Sequence, residues 1–351
     1  MTTTKISEIW YTFCPVAVVS HIAQDRGWLT EEFTKDNIKI SHISCLPVEN
    51  WQSHFSHQHP LLFRDGGNIP PIWAKAEGFA SKVIGMTWSE DRQVIMVSKD
   101  SPIQSVNELK GKKVALPRRL PNLIDWRRTL IKRGIVMSLL AHKLSEDDIQ
   151  FVDQPIDIPD IAKEKTPGKT GPMSMRPKIW QGEPTPEVDA LKKGEVDAIY
   201  TFNGRDLALE KEGIARAIYN LHEHPDWQSR ISQGYPYICT VSADFANEHP
   251  DLIIKWMKVL IKAGVWAKSN RTDVVRVMAR AMKLSEDTFQ KAFPADFHQH
   301  LVPEISHKGI DALEIQKKFL KEHGFINNEF DVRNWVDGSY LEAAMKELRE
   351  K

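Results

Sequence analysis

The chain lacks most of the features that announce a function. Its 351 residues include only three cysteines, Cys14, Cys45 and Cys239, odd in number and widely scattered. That excludes a disulfide framework and the paired cysteine spacings of structural zinc sites. Neither charge dominates, since 47 Lys and Arg balance 47 Asp and Glu. No global field therefore draws the protein to nucleic acid or to anionic lipid. No apolar run approaches the ~20 residues that span a bilayer, and the stretch from Met1 to Glu8 has no apolar signal core. Internal repeats are also absent. The expectation is a cytoplasmic protein, monomeric, without a membrane or nucleic-acid partner.

What is present is a succession of short strands and helices, long enough for two ordinary cores. Ile6 to Phe13 mixes β-branched and aromatic residues and reads as a first strand. Pro15 suits the first turn of a helix, which the pattern carries on to Gly27. Ile38 to Ile43 alternates as a half-buried strand, and Val83 to Met86 and Gln93 to Val97 read as two more. Ser105 with Glu108 three residues on predicts a capping box. The segment from Asp157 to Pro186 is loop-rich, with six prolines and three glycines, and its length suggests a lid. Beyond Pro250 the chain turns helical. Leu252, Ile253, Trp256, Met257, Leu260 and Ile261 mark one apolar face, and Val274, Val277, Met278 and Ala281 another, both expected in the core.

Two clusters carry chemistry. Cys14-Pro15 closes the first strand, and about forty residues later come His54-Phe55-Ser56-His57-Gln58-His59-Pro60, Arg64 and Gly66-Gly67. A thiol, an imidazole, a guanidinium and a glycine pair together suit chemistry on a small anion. Taken singly they are bland: Cys14 reads as a small buried hydrophobe, Arg64 as a surface ion-pair partner and His54 as a solvated loop residue. His54, His57 and His59 lack a neighbouring carboxylate or cysteine at zinc spacing, so no metal is expected. Cys45 and Cys239 read as structural.

The strand and helix order, with Ser101-Pro-Ile-Gln-Ser-Val-Asn-Glu-Leu-Lys-Gly-Lys-Lys-Val114 and Gly194-Glu-Val-Asp-Ala198, resembles the type II periplasmic-binding-protein fold of sulfonate, taurine and nitrate binders. That resemblance implies an α/β protein of two domains with the ligand in the cleft between them. The first domain would be residues 1–98 plus 242–351 and the second 99–241, with crossings near Val97–Ser101 and Cys239–Ser242. Cys14-Pro15, His54-Phe55 with Arg64 ten residues after the histidine, and Gly66-Gly67-Asn68-Ile69-Pro70-Pro71 are more specific. They are similar to the 2'-hydroxybiphenyl-2-sulfinate desulfinases, as are Trp126-Arg127, Val196 to Tyr200 and Ala295 to Pro303. One departure is Thr12, where the well-known members carry serine. The segment between Leu116 and Trp126 is also shorter than theirs.

The resemblance implies hydrolysis of an aromatic sulfinate to arene and sulfite, with Cys14, His54 and Arg64 catalytic. Thr12, Gly66, Gly67, Phe13 and Phe55 would contact the substrate, and no cofactor is called for. Arg64 can grip two sulfinate oxygens with a forked pair of charge-assisted bonds. A thiolate attacking sulfur would bring anion to anion and expel an aryl carbanion. A neutral thiol, of ordinary pKa about 8.5, can instead protonate the ipso carbon, and this role is the favoured one. The alternative is a non-catalytic binder of sulfonate, nitrate or taurine.

Overall fold

The computed structural model describes residues 6–120, 123–157, 185–232 and 234–350. Among these residues ten strands form two five-stranded sheets. β1 (Glu8–Phe13), β2 (Lys39–His42), β3 (Leu62–Gly66) and β4 (Ser81–Thr87) lie in the first. β5 (Gln93–Ser98), β6 (Lys113–Leu120), β7 (Gln150–Asp157), β8 (Ala198–Phe202) and β9 (Ala215–Asn220) make up the second. β10 (Tyr237–Ser242) then returns to the first. The orders are β2-β1-β3-β10-β4 and β7-β6-β8-β5-β9.

In each sheet the fourth strand runs antiparallel to both neighbours: β10 between β3 and β4, and β5 between β8 and β9. These are the strands that follow a passage from the other sheet. The chain therefore changes sheets at 88–92 and 221–236. β5, expected with the first half, pairs wholly within the second sheet, and most of β10, expected with the second half, pairs within the first. Sequence periodicity marks where a strand is but not which sheet supplies its hydrogen-bonding partner.

β1 has β2 parallel on one side and β3 parallel on the other. It is thus a point where the strand order reverses, and α/β sheets present ligands outside the carboxyl ends of strands at such a point. The parallel register sets Thr12 beside Arg64 and Phe13 beside Asp65. Cys14 and Gly66 consequently emerge at the same end of the sheet.

The apolar stripes expected in the helical region are core. In the helix Pro250–Lys268, Trp256 is fully buried and stacks on Phe63 of β3 at 4.0 Å between ring centroids. Leu252, Ile253, Met257, Leu260 and Ile261 are buried around it. Each such side chain contributes about 1.5–3 kcal/mol by leaving water, so this helix anchors the sheet from behind. Val274, Val277, Met278 and Ala281 are buried likewise in the helix Arg271–Met282.

Two local expectations are corrected. The first helix begins at Ser20, not at Pro15, and runs only to Asp25. The carbonyls of Cys14 and Val16 accept from the N–H groups of Val16 and Val18, two residues on, so helical bonding cannot start there. The Ser105 capping box is also incomplete. Glu108 accepts from the Ser105 hydroxyl at 3.0 Å and from the Gln104 N–H, and the segment Val106–Leu109 is a 3₁₀ turn. The proposed lid from Asp157 to Pro186 falls, from 158 to 184, outside the described residues.

Candidate functional site

Cys14 leaves the end of β1 with its N–H donating to the Asp65 carbonyl of β3 at 2.9 Å. His21, on the first turn of its helix, donates from Nε2 to the Cys14 carbonyl at 2.9 Å, which fixes the proton of that imidazole on Nε2. These two bonds hold the backbone of a half-buried cysteine from both sides.

Around the thiol the structure gathers the groups that sequence spacing singled out. His54 is not on a solvated loop: it sits in the short helix Ser53–Ser56 and is buried. Its Nε2 lies 3.5 Å from Cys14 Sγ and its Nδ1 2.8 Å from Thr12 Oγ1. The Thr12 hydroxyl can either donate or accept, so it can match whichever nitrogen carries the proton. Arg64 is not a surface residue either, being 0% exposed. It donates from Nη2 to Cys14 Sγ at 3.3 Å and from Nε to the His54 carbonyl at 3.3 Å. Its Nη1 is buried with no hydrogen-bond partner among the described residues. An unsatisfied buried donor on a charged group costs a few kcal/mol, a cost that an incoming anion removes.

The glycine pair has a steric role. A Cβ built on Gly66 would stand 2.3 Å from Cys14 Sγ and 2.5 Å from its Cβ, far inside contact distance. Only glycine lets β3 pass this close to the thiol. Gly67 is buried beside it, ahead of the helix Ile69–Ala76. Asn68 follows and donates from its amide to the carbonyls of Ser232 and Pro236, both at 3.0 Å. The loop carrying the glycines is thereby fastened to the second passage between the sheets.

The two aromatic expectations part company. Phe55 is half-buried, with its ring edge-on to His54 at 4.9 Å. Phe13 is instead in the core, 3% exposed, against His21 and Trp256. Adjacent residues on a strand point to opposite faces, so the neighbour of Cys14 is directed away from the thiol.

Several supporting residues escaped the sequence reading. His57 is buried and bonds from Nε2 to Thr240 Oγ1 at 2.6 Å. Burial first, and the Arg64 charge second, hold it down at about 3, so it is neutral. Asp65 accepts from Ser20 Oγ at 2.5 Å, while burial pushes its carboxyl up to about 6. Cys239 is buried in the core, and burial raises its thiol well above the ordinary range. Among the described residues no three His, Cys, Asp or Glu side chains are grouped to hold a metal ion. No described helix is long and apolar enough to cross a membrane.

No protein-family model matches the chain. The chain is similar to the 2'-hydroxybiphenyl-2-sulfinate desulfinase of Rhodococcus erythropolis, 25% identical over 362 aligned positions covering 97% of this chain and 94% of that one. A protein of Bacillus subtilis (strain 168) named for binding aliphatic sulfonates is 24% identical over 331 positions, covering 93% and 84%. Among solved structures, a cysteine-to-serine mutant of the desulfurization enzyme DSZB, in complex with biphenyl-2-sulfinic acid, superposes with a TM-score of 0.76. It is 24% identical, with 97% and 99% of the two chains covered. The alkanesulfonate-binding protein SsuA of Xanthomonas axonopodis pv. citri, bound to MOPS, gives 0.63 at 16% identity, covering 96% and 100%. The fold is therefore α/β and of the periplasmic-binding-protein type.

Proposed function

We propose that the protein cleaves the carbon–sulfur bond of an aromatic sulfinate, 2'-hydroxybiphenyl-2-sulfinate or a close analogue, to give the arene and sulfite. One observation carries this reading: the Cys14 thiol lies between the His54 imidazole at 3.5 Å and the Arg64 guanidinium at 3.3 Å. A passive anion receptor needs the guanidinium but has no use for a thiol coupled to an imidazole. The similarity to a desulfinase along nearly the whole chain supports the same choice.

In this reading the sulfinate oxygens take the open Nη1 of Arg64 and its neighbour Nη2, and Phe55 borders the aromatic part. A thiolate beside the bound sulfinate would set two anions in contact, so this reading uses the neutral thiol. Cys14 gives its proton to the ipso carbon. The carbon–sulfur bond breaks and sulfur dioxide leaves. Water adds to sulfur dioxide to form hydrogensulfite, releasing a proton that His54 returns to Cys14. The sum is sulfinate plus water to arene plus hydrogensulfite, with no external oxidant or reductant. Each sheet centres one unit, the substrate enters between the two, and the protein works as a cytoplasmic monomer.

The test is direct. Hydroxybiphenyl sulfinate incubated with the protein is expected to yield hydroxybiphenyl and sulfite in equal amounts. Cys14→Ser is expected to bind substrate and release neither. A covalent Cys14–sulfur adduct found by mass spectrometry would replace the acid with a nucleophile. Tight, unreactive binding of small sulfonates by a folded wild-type protein would replace the enzyme with a receptor, the reading that the sulfonate-binding relative favours.

A further inference from the structure

A cavity of about 520 Å³ lies apart from Cys14, among the two passages between the sheets and the segment 294–308. Trp88, Ser89 and Glu90 come from the first passage, and His222, Arg230 and Tyr235 from the second. Its size falls within the ~300–1,000 Å³ of small-molecule sites.

The chemistry of its lining is selective. Its carboxylates are already engaged. Glu90 faces His222 at 3.0 Å and Arg230 at 3.1 Å, Glu304 accepts from Trp88 Nε1 at 2.5 Å, and Asp296 pairs with His300 at 3.2 Å. Lys308, in contrast, has no ion-pair partner among the described residues. Its Nζ is 5.1–5.2 Å from the ring centroids of Trp88, Trp227 and Tyr235, which position an ammonium without neutralising it. Ser89 is 2% exposed, and its hydroxyl finds no hydrogen-bond partner among the described residues. A buried hydroxyl left unsatisfied costs about 1–3 kcal/mol, which a ligand atom would relieve.

We infer that this cavity is a second ligand site, for a small flat aromatic anion. Its ring lies against Trp88, Tyr235 and Phe297, its charge meets Lys308, and a polar atom meets Ser89. The inference is independent of the sulfinate chemistry proposed above, because it uses none of the residues around Cys14.

The test uses the full chain with naphthalene-2-carboxylate as the probe, in an Arg64→Lys background so that binding beside Cys14 is suppressed. Calorimetry is expected to show one equivalent bound. Adding Lys308→Met should weaken binding at least tenfold, and adding Ser89→Ala at least threefold, with circular dichroism unchanged. A loss in either folded variant supports the site. Absence of binding in the Arg64→Lys protein, or undiminished binding in the folded variants, overturns it. Ser89→Ala removes one atom from a loop and decides the matter if Lys308→Met does not fold.

Discussion

The α-carbon of Gly66 faces the sulfur of Cys14 so closely that a methyl group on it would lie 2.3 Å from Sγ. The obstructing atoms belong to a residue pinned on both sides of its backbone, through Asp65 and His21, so neither partner can yield cheaply. Gly66→Ala is expected to cost about 1–3 kcal/mol of stability, the usual range for overpacking a filled site. It should also abolish sulfite release. Urea unfolding and the sulfite assay measure the two effects, and a stable, active alanine variant would contradict the geometry.

Thr12 is the departure from serine, and its bond to His54 Nδ1 at 2.8 Å predicts which part of the residue matters. Thr12→Val keeps the shape and removes the hydroxyl, so kcat should fall about tenfold or more, roughly 1.4 kcal/mol. KM should stay within about twofold, because in the proposed reading Arg64 carries the hold on the anion and the Thr12 hydroxyl is engaged by His54. Thr12→Ser should restore the rate. A valine variant as fast as wild type would show that the imidazole needs no partner on that side.

Arg64 bonds to the thiol and the His54 carbonyl, and in the proposed reading it holds the anion as well. Lysine supplies the charge but not the planar fork, so Arg64→Lys should weaken substrate binding about tenfold or more, measured in a Cys14→Ser background. Equal affinity in the two proteins would mean that charge alone suffices.

The buried His57 ties acid stability to the site. Its folded pKa of about 3 lies below the ordinary value of 6.5, so below pH 6.5 the unfolded chain takes up a proton that the folded chain refuses. The contribution is complete above pH 6.5 and is lost as pH falls toward 3, at about 1.4 kcal/mol per pH unit. Asp65 and Asp91, raised by burial to about 6 and about 7, act in the opposite sense over an overlapping range. The clean measurement is therefore the stability difference between wild type and His57→Gln. It should shift in favour of the variant by about 2 kcal/mol between pH 6.5 and pH 5. A difference independent of pH would place a charge on His57 in the folded protein.

Much of this was legible in the chain because it is local. The strand ending at Phe13, the apolar faces around Trp256 and Val277, and the order of Cys14, His54, Arg64 and Gly66 are patterns within short windows. What was not legible depends on partners far away in sequence. His57 reads as a loop histidine until Thr240, 183 residues on, is brought to its side. His21 and Asp65 matter through single bonds to the Cys14 carbonyl and to Ser20, which no spacing announces. Phe13 was misread because proximity in sequence is not proximity across a pleated strand. The exchange of β5 and β10 between sheets was misplaced because a strand's own residues do not name its neighbours.

Cys14 directly follows β1, Arg64 stands on β3 and His54 on the short helix that precedes β3, and none of the three comes from the second sheet. In the reading proposed above, the reactive groups are thus complete on one half of the molecule. The opposite half is left free to diverge in what it admits, while the chemistry waiting across from it stays the same.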